Sequence, residues 1–403
     1  MTMSKNVTNF DVCIIGGSIA GNFLGYLLSN TNLRIVIIEE HKEVGLPFQC
    51  AGIVSQKLSK LIDLPNNLIL NRVKVAKIIG PSGSFIKLSG NENPYIIDRI
   101  GLDCVFYNRI INKQNITYLL GEKFLSFNYI KHNHQKIVLV KTSKRKLKAK
   151  MLIGCDGPLS SVIKTFGIKN KNIYAIQLRL KENFDENEVV MYFDHRWKEL
   201  FGWIVPEGNN VYRIGIASSK NTSKNFRLFL KKMNINLDQI INQQGGLIPY
   251  GLMNKLAFDN VLLVGDSAGQ VKATTGGGII MLLTAAKYAA NCIKKCFKDN
   301  KFSRKQIKKY YEKPCKLQIG KELKIHYIIR AFLEKFTYKD FEKVFQIIKT
   351  SEIENLISVY GDMDFPKTLI FKIFKNPWFF PFVIKFLLKN PTLLIKALYI
   401  IKL

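Results

Sequence analysis

The sequence is short of acid, of unbroken apolar stretches and of patterned cysteine, and each shortage excludes something. Only 30 Asp and Glu stand against 61 Lys and Arg in 403 residues, a formal charge of +31. Such a balance favours an anionic partner, whether nucleic acid, an anionic membrane surface or a phosphorylated substrate. Drift toward Lys, Asn and Ile accounts for part of the excess. The basic residues are dispersed and match no nucleic-acid module, which argues against a nucleic-acid partner. No uncharged apolar stretch approaches the ~20 residues needed to span a bilayer. Met1 to Phe10 is polar and lacks the apolar core of a signal peptide. These absences predict a cytoplasmic protein, or one peripheral on a membrane. The seven cysteines (Cys13, Cys50, Cys104, Cys155, Cys292, Cys296, Cys315) are odd in number and mostly sit in apolar runs. That is the usage of a reduced, intracellular chain. Cys292 and Cys296 are four apart on a predicted helix, but no further His or Cys cluster completes a zinc site, so no metal is expected.

What is present points to a globular α/β protein. Apolar content is 47%, and the length predicts about two or three domains. Asp11 to Ile15 reads as a buried parallel strand, Gly16-Gly-Ser-Ile-Ala-Gly21 as a turn, the stretch to Ser29 as a helix and Leu33 to Ile38 as a second strand ending at Glu39. Short buried strands recur at 151–153 and 261–264, the latter feeding a helix from about Gly278 to Lys298. Alternating segments lie at 69–97, 116–150 and 172–219, helices at 99–112 and 223–242, and everything after Lys301 looks helical. One sheet assembled from distant pieces, with a β-sheet domain inserted, explains that pattern. The expected division is a discontinuous parallel-sheet domain (8–75, 96–170, 255–300), a β-rich domain (76–95, 171–254) and a helical region (301–403).

The first chemistry-bearing motif is the turn. Backbone N–H groups and a helix N-terminus can approach a pyrophosphate where Gly16, Ser18 and Gly21 stand; Ser at the middle position is imperfect but small. Glu39, 18 residues past Gly21, can accept hydrogen bonds from ribose hydroxyls and disfavours a 2′-phosphate. Dinucleotide binding follows.

Val261-Leu-Leu-Val-Gly-Asp-Ser-Ala-Gly269 with Thr274-Thr-Gly-Gly-Gly-Ile-Ile280 resembles the second FAD fingerprint of the para-hydroxybenzoate hydroxylase superfamily, and Leu152 to Val162 resembles its Asp-Gly motif at Asp156 and Gly157. Within it, Glu43 to Ile53 resembles the Cys-containing turn of the geranylgeranyl reductase family, and Tyr95 to Asp103 its Asp-Arg segment. Phe201-Gly-Trp-Ile-Val-Pro206, followed by Gly215-Ile-Ala217, resembles that family's substrate-domain signature, with Phe201, Val205 and Ala217 departing from Tyr, Phe and Gly. The resemblance spans roughly residues 8–330. It implies a Rossmann-like FAD domain, with FAD contacts on Ala20, Glu39, Cys50, Ala51, Ile53, Arg99, Asp266, Gly278 and Ile279, and a further backbone contact near 121–124. It implies reduction of isoprenoid double bonds of a membrane lipid or its precursor by hydride from reduced flavin. Cys50 would be the proton source or a small packing residue, Phe201, Trp203 and Pro206 would line the prenyl slot, and NAD(P)H or ferredoxin would donate electrons. A reversible pairing of Cys50 with a distant thiol such as Cys315 is conceivable. The same motifs admit a flavin monooxygenase or halogenase, or a non-catalytic membrane electron-relay flavoprotein.

The tail carries a separate signal. After Asp364 there is no acidic residue, while Lys367, Lys372, Lys375, Lys385, Lys389, Lys396 and Lys402 alternate with runs such as Trp378-Phe-Phe380. Asn376-Pro377 and Asn390-Pro391 each read as a helix start. Two short helices with basic edges suit an anionic bilayer interface.

Overall fold

In the computed structural model, residues 8–401 are described, apart from Asn91, Asn133 and Leu252, with side chains described to Lys396. Residues 1–7 and Lys402 therefore lie outside the described residues. The apolar strand Thr8–Ile15 forms the middle of the main sheet because every residue from Val12 to Ile15 is buried on both faces. On one side it pairs in parallel with Ile35–Ile38, which pairs in parallel with Ile116–Leu119. On the other it pairs in parallel with Lys146–Gly154, which pairs with Val261–Leu263. Five parallel strands from four remote stretches thus share one plane, and their carboxyl ends face one edge, where ligands of open α/β sheets bind.

Three sequence expectations are corrected here. Ile116–Leu119 is a fifth parallel strand; its alternating pattern reflects an edge position, half covered, rather than an antiparallel neighbour. The basic stretch 146–150 and the apolar 151–153 are one strand, whose first half also takes an antiparallel hairpin, Phe124–His132 and Gln135–Thr142. The helix predicted over 223–242 is Thr222–Lys232, and Ile240–Pro249 is a ten-residue strand instead. Asn234 takes a left-handed φ and ends the helical run.

The second sheet has seven strands in the order 240–249, 172–181, 211–218, 202–208, 188–192, 75–79 and 85–88. Its pairs are antiparallel except 75–79 with 188–192. A three-stranded sheet (53–54, 95–97, 69–72) stands beside it. The long helix Ile279–Asp299 packs its Ala-rich face on the main sheet. The remaining chain is helical, from Arg304 to Ile401, with two π-turns at Lys308–Glu312 and Lys316–Gly320. Asn376 Oδ1 accepts from the N–H groups of Trp378 and Phe379 ahead of a helix that starts at Phe379 rather than at Pro377, while Pro391 opens the last helix as expected.

Candidate functional site

At the carboxyl edge of the main sheet lies a cleft of about 710 Å³. Its floor is the turn from Gly16 to Ala20. Gly16 has φ +101°, and a Cβ there would fall 2.3 Å from the Cys155 carbonyl oxygen. A Cβ on Gly21 would fall 1.9 Å from the Gly16 carbonyl oxygen, so only glycine lets the helix Ile19–Leu28 close on the strand. Ser18 heads that helix without a side-chain cap, which leaves first-turn N–H groups and the positive end of the helix turned to the cleft. Gly21 itself stands behind the turn and does not line the cleft.

Glu39 closes one end. One carboxylate oxygen accepts the Gly17 N–H at 2.7 Å, and the other accepts the His41 N–H at 2.9 Å and contacts His41 Nδ1 at 2.6 Å. Carboxylate oxygens accept more than one bond, so capacity for hydroxyl donors is left. At the other end, Asp266 occupies the turn Gly265–Ala268. Burial pushes its carboxyl up to about 6, against the pull of Arg99. Arg99 Nη1 lies 2.8 Å from Asp103 Oδ1 but finds no hydrogen-bond acceptor among the described residues. Its Nη2 donates to Ser18 Oγ, which in turn donates to Asp103. Asp156 lines the cleft too; its oxygens accept from the Ser160 hydroxyl and the Val162 N–H, bracing the short helix Ser161–Lys164, and burial raises its pKa. A free helix terminus, an acid at each end and the Arg99 guanidinium between them fit a dinucleotide with a hydroxylated linker.

A second cavity, about 440 Å³ and mainly apolar, borders the cleft. Gln49, Cys50, Pro158, Gly246, Leu247 and Asp266 line both. Ala51, Ile53 and the Thr275-Gly276-Gly277 turn line only the second, whose far wall is Leu200, Phe201, Trp203, Val205 and Ile248. Pro206 does not belong there. Strand alternation puts it with Ile204 on the opposite face, so its expected place in the slot is corrected. Gly278 and Ile279 line neither cavity; Gly278 lies close by Asp266, a Cβ built on it coming 3.5 Å from Asp266 Oδ1. Gly121 and Glu122 are likewise outside, whereas Lys123 and Phe124 line the cleft.

Cys50 stands where the cavities meet. Its Sγ accepts the Gly52 N–H at 3.3 Å, a contact that does not use the thiol proton. Cys50 and Cys315 are both free, and Cys315 is buried beside Gln270 and Tyr311. The Cys292 and Cys296 sulfurs are 3.8 Å apart, and no group of three metal-ligating side chains occurs among the described residues.

Sequence reasoning missed two residues that hold this junction. Buried Gln177 donates to the Cys50 carbonyl at 3.1 Å and to Gln244, while accepting the Trp203 indole N–H at 2.8 Å. Buried Arg213 donates to the carbonyls of Ala51 and Ile97, pairs with Glu207 and lies over the Phe48 ring, fastening the Cys50 loop to the second sheet. The available signals were a lone polar side chain at an inward strand position for Gln177 and a paired Gly245-Gly246 within a strand, which marks close backbone approach.

No family model matches the chain. An uncharacterised protein of Methanocaldococcus jannaschii is 28% identical over 384 residues, covering 92% of this chain and 96% of that protein. A protein named digeranylgeranylglycerophospholipid reductase 1, from Methanococcoides burtonii, is 26% identical and covers 86% of this chain and 89% of its own. Among solved structures, a geranylgeranyl bacteriochlorophyll reductase-like protein from Thermoplasma acidophilum superposes with a TM-score of 0.80 at 21% identity, over 96% of this chain and all of that one.

Proposed function

We propose, on the premise that this chain is a relative of the digeranylgeranylglycerophospholipid reductases, that it is an FAD-dependent reductase saturating isoprenoid double bonds of a membrane lipid or its precursor. The observation that carries this reading is the junction at Cys50, Gly246, Leu247 and Asp266, where a polar dinucleotide-shaped cleft meets an apolar cavity of lipid character. Gly16, Ser18, Ala20 and Arg99 would hold the FAD pyrophosphate and Glu39 the ribose. Asp266 would hold the ribityl chain, with Gly278 and Ile279 as further backbone contacts, and Cys50, Ala51 and Ile53 would flank the ring. On this reading the cofactor would sit on the parallel sheet and the substrate on the seven-stranded one, the division expected from the sequence.

When bound and reduced, FAD would supply hydride chemistry toward an alkene carbon. The remaining work falls to the chain. Phe201, Trp203 and Val205 hold the prenyl segment and exclude water. An isolated alkene is a poor hydride acceptor, so a proton must reach the other carbon, and Cys50 supplies or relays it. Replacing Cys50 with Ala is expected to lower turnover by about 10²-fold or more with FAD content intact; full turnover leaves Cys50 a packing residue. NAD(P)H or ferredoxin is the electron donor, and the basic surface suits an acidic one. The decisive test is anaerobic incubation of dithionite-reduced protein with a geranylgeranyl lipid. Product mass should rise by two hydrogens per bond reduced. No lipid reduction, with rapid NAD(P)H-driven oxygen consumption instead, would replace this reading with a monooxygenase.

Among the described residues no helix is long and apolar enough to cross a membrane. Peripheral contact is supported by the helices Phe379–Lys389 and Pro391–Ile401. Their inward side chains, Phe386 and Leu393, pack in one cluster with Phe336, while Trp378, Phe380, Leu388 and Ile395 are exposed beside Lys385, Lys389 and Lys396. Deleting residues 366–403 should abolish binding to anionic liposomes. Reversing Lys385 and Lys389 to Glu leaves the packed face intact and should weaken binding by about 1 kcal/mol per lysine removed. Unchanged binding by both variants refutes the contact.

A further inference from the structure

One wall of the apolar cavity comes from far along the chain. Met363 borders that cavity and not the cleft, in the short link between the helix Ile353–Tyr360 and the helix Lys367–Phe374. Its neighbours clamp it. Asp362 Oδ1 takes Lys57 Nζ at 2.8 Å and the N–H groups of Asp364 and Phe365. Buried Asp364 takes Lys272 Nζ at 2.6 Å on one oxygen and the Ser55 hydroxyl at 2.5 Å on the other. Lys272 also donates to the Met363 carbonyl, and His326 Nε2 lies 3.2 Å from the Asp364 carbonyl.

A backbone fixed on both sides of a residue leaves only that side chain to adapt. Methionine, unbranched and polarizable, fills irregular apolar space without a fixed shape. Two of the groups doing the fixing lie next to cavity walls: Ser55 follows the strand Ile53–Val54, and Lys272 precedes the Thr275–Gly277 turn, with its Cε 3.1 Å from a Cβ built on Gly277. The link therefore responds to the same elements that shape the cavity.

We propose that Met363 is a specificity-determining residue that closes the apolar cavity and sets the length of prenyl chain it accepts, with Asp362 and Asp364 as positioning residues. This rests on reading the cavity as the prenyl slot. Met363→Ala removes Cγ, Sδ and Cε and should favour longer chains; Met363→Trp should favour shorter ones. One methylene in an apolar pocket is worth roughly tenfold or more in discrimination, so the ratio of geranylgeranyl to farnesyl preference should move about tenfold in opposite directions in the two variants.

The test uses the full-length FAD-loaded protein with two readouts: binding of farnesol and geranylgeraniol, followed by quenching of tryptophan fluorescence, and turnover of the corresponding lipids. Opposite shifts in the binding ratio uphold the proposal whether or not turnover occurs; wild-type protein that binds the alcohols yet reduces no lipid brings down the reductase reading alone. An unchanged ratio in both variants, in protein that retains FAD and reduces lipid, overturns the proposal alone. For the clamp, Asp364→Asn should raise KM for the longer substrate while kcat holds, and Asp364→Glu should restore part of it; equal loss of kcat and KM with both substrates, without rescue, would make Asp364 merely structural.

Discussion

The cleft and the apolar cavity share six lining residues yet are built on opposite rules. In the cleft, polar groups are held by backbone close at hand: Glu39 by the N–H groups of Gly17 and His41, Asp156 by the helix it caps. In the cavity, which is mainly apolar, the Cys50 loop is held by polar side chains from remote strands, Trp203 to Gln177 to the Cys50 carbonyl. A charged ligand can be met by preorganised amides at little conformational cost, whereas an oily one needs walls, and walls come from wherever the fold folds back.

The largest effect should come from breaking the local rule. Gly21→Val places branched carbon where the Gly16 carbonyl oxygen already sits within 1.9 Å of a Cβ. The strand–helix junction must open, and overpacking of this kind costs about 1–3 kcal/mol or more in stability alone. Flavin titration should find FAD affinity reduced beyond measurement while the seven-stranded sheet keeps its secondary structure by circular dichroism. Retained stoichiometric flavin would show that the turn does not position the cofactor.

This contrast also explains what could be read from the sequence. Strand, turn, helix, strand and acid at 11–39 are contiguous, so periodicity and spacing pointed to the parallel sheet and to Glu39, and the resemblance of a second compact motif pointed to Asp266. The Cys50 loop and Trp203 were legible through resemblance. Pro206 was misplaced because a motif fixes neighbours along the chain and not which face of a strand each one takes. Gln177 left only the weak signal of a polar side chain at an inward strand position, and Arg213 and Met363 left none: their roles exist only after residues 127 or more positions away meet the loop at 50. Ile116–Leu119 hid for a related reason, since an edge strand of a parallel sheet alternates like an antiparallel one.

A smaller effect should separate the two spaces by pH. Burial raises the Asp266 carboxyl to about 6 from 3.8. The folded, FAD-free protein therefore holds a proton between those values that the unfolded chain has released, so this group lowers stability as pH rises from about 4 to 6 and by a constant amount above. Asp266→Asn removes the cost, about 3 kcal/mol at pH 7 and nothing below pH 4. Urea melts of the apo variant should show that gain, while FAD binding weakens. A variant no more stable than wild type at pH 7 would mean that the carboxyl is not desolvated.

The smallest change should fall on the cavity side. Gln177→Leu keeps the volume but leaves the buried Trp203 indole N–H without its acceptor at 2.8 Å and the Cys50 carbonyl without its donor. One orphaned buried donor costs about 1–3 kcal/mol, partly offset by the added apolar contact, for an expected loss of about 2 kcal/mol. Trp203→Phe removes the donor itself, so in the double variant the two losses should not add, and the coupling measures the bond. FAD affinity should stay within about threefold throughout, because neither side chain lines the cleft. If FAD affinity instead falls in step with stability, the Cys50 loop transmits strain between the spaces, and the cavity wall is part of the cofactor site after all.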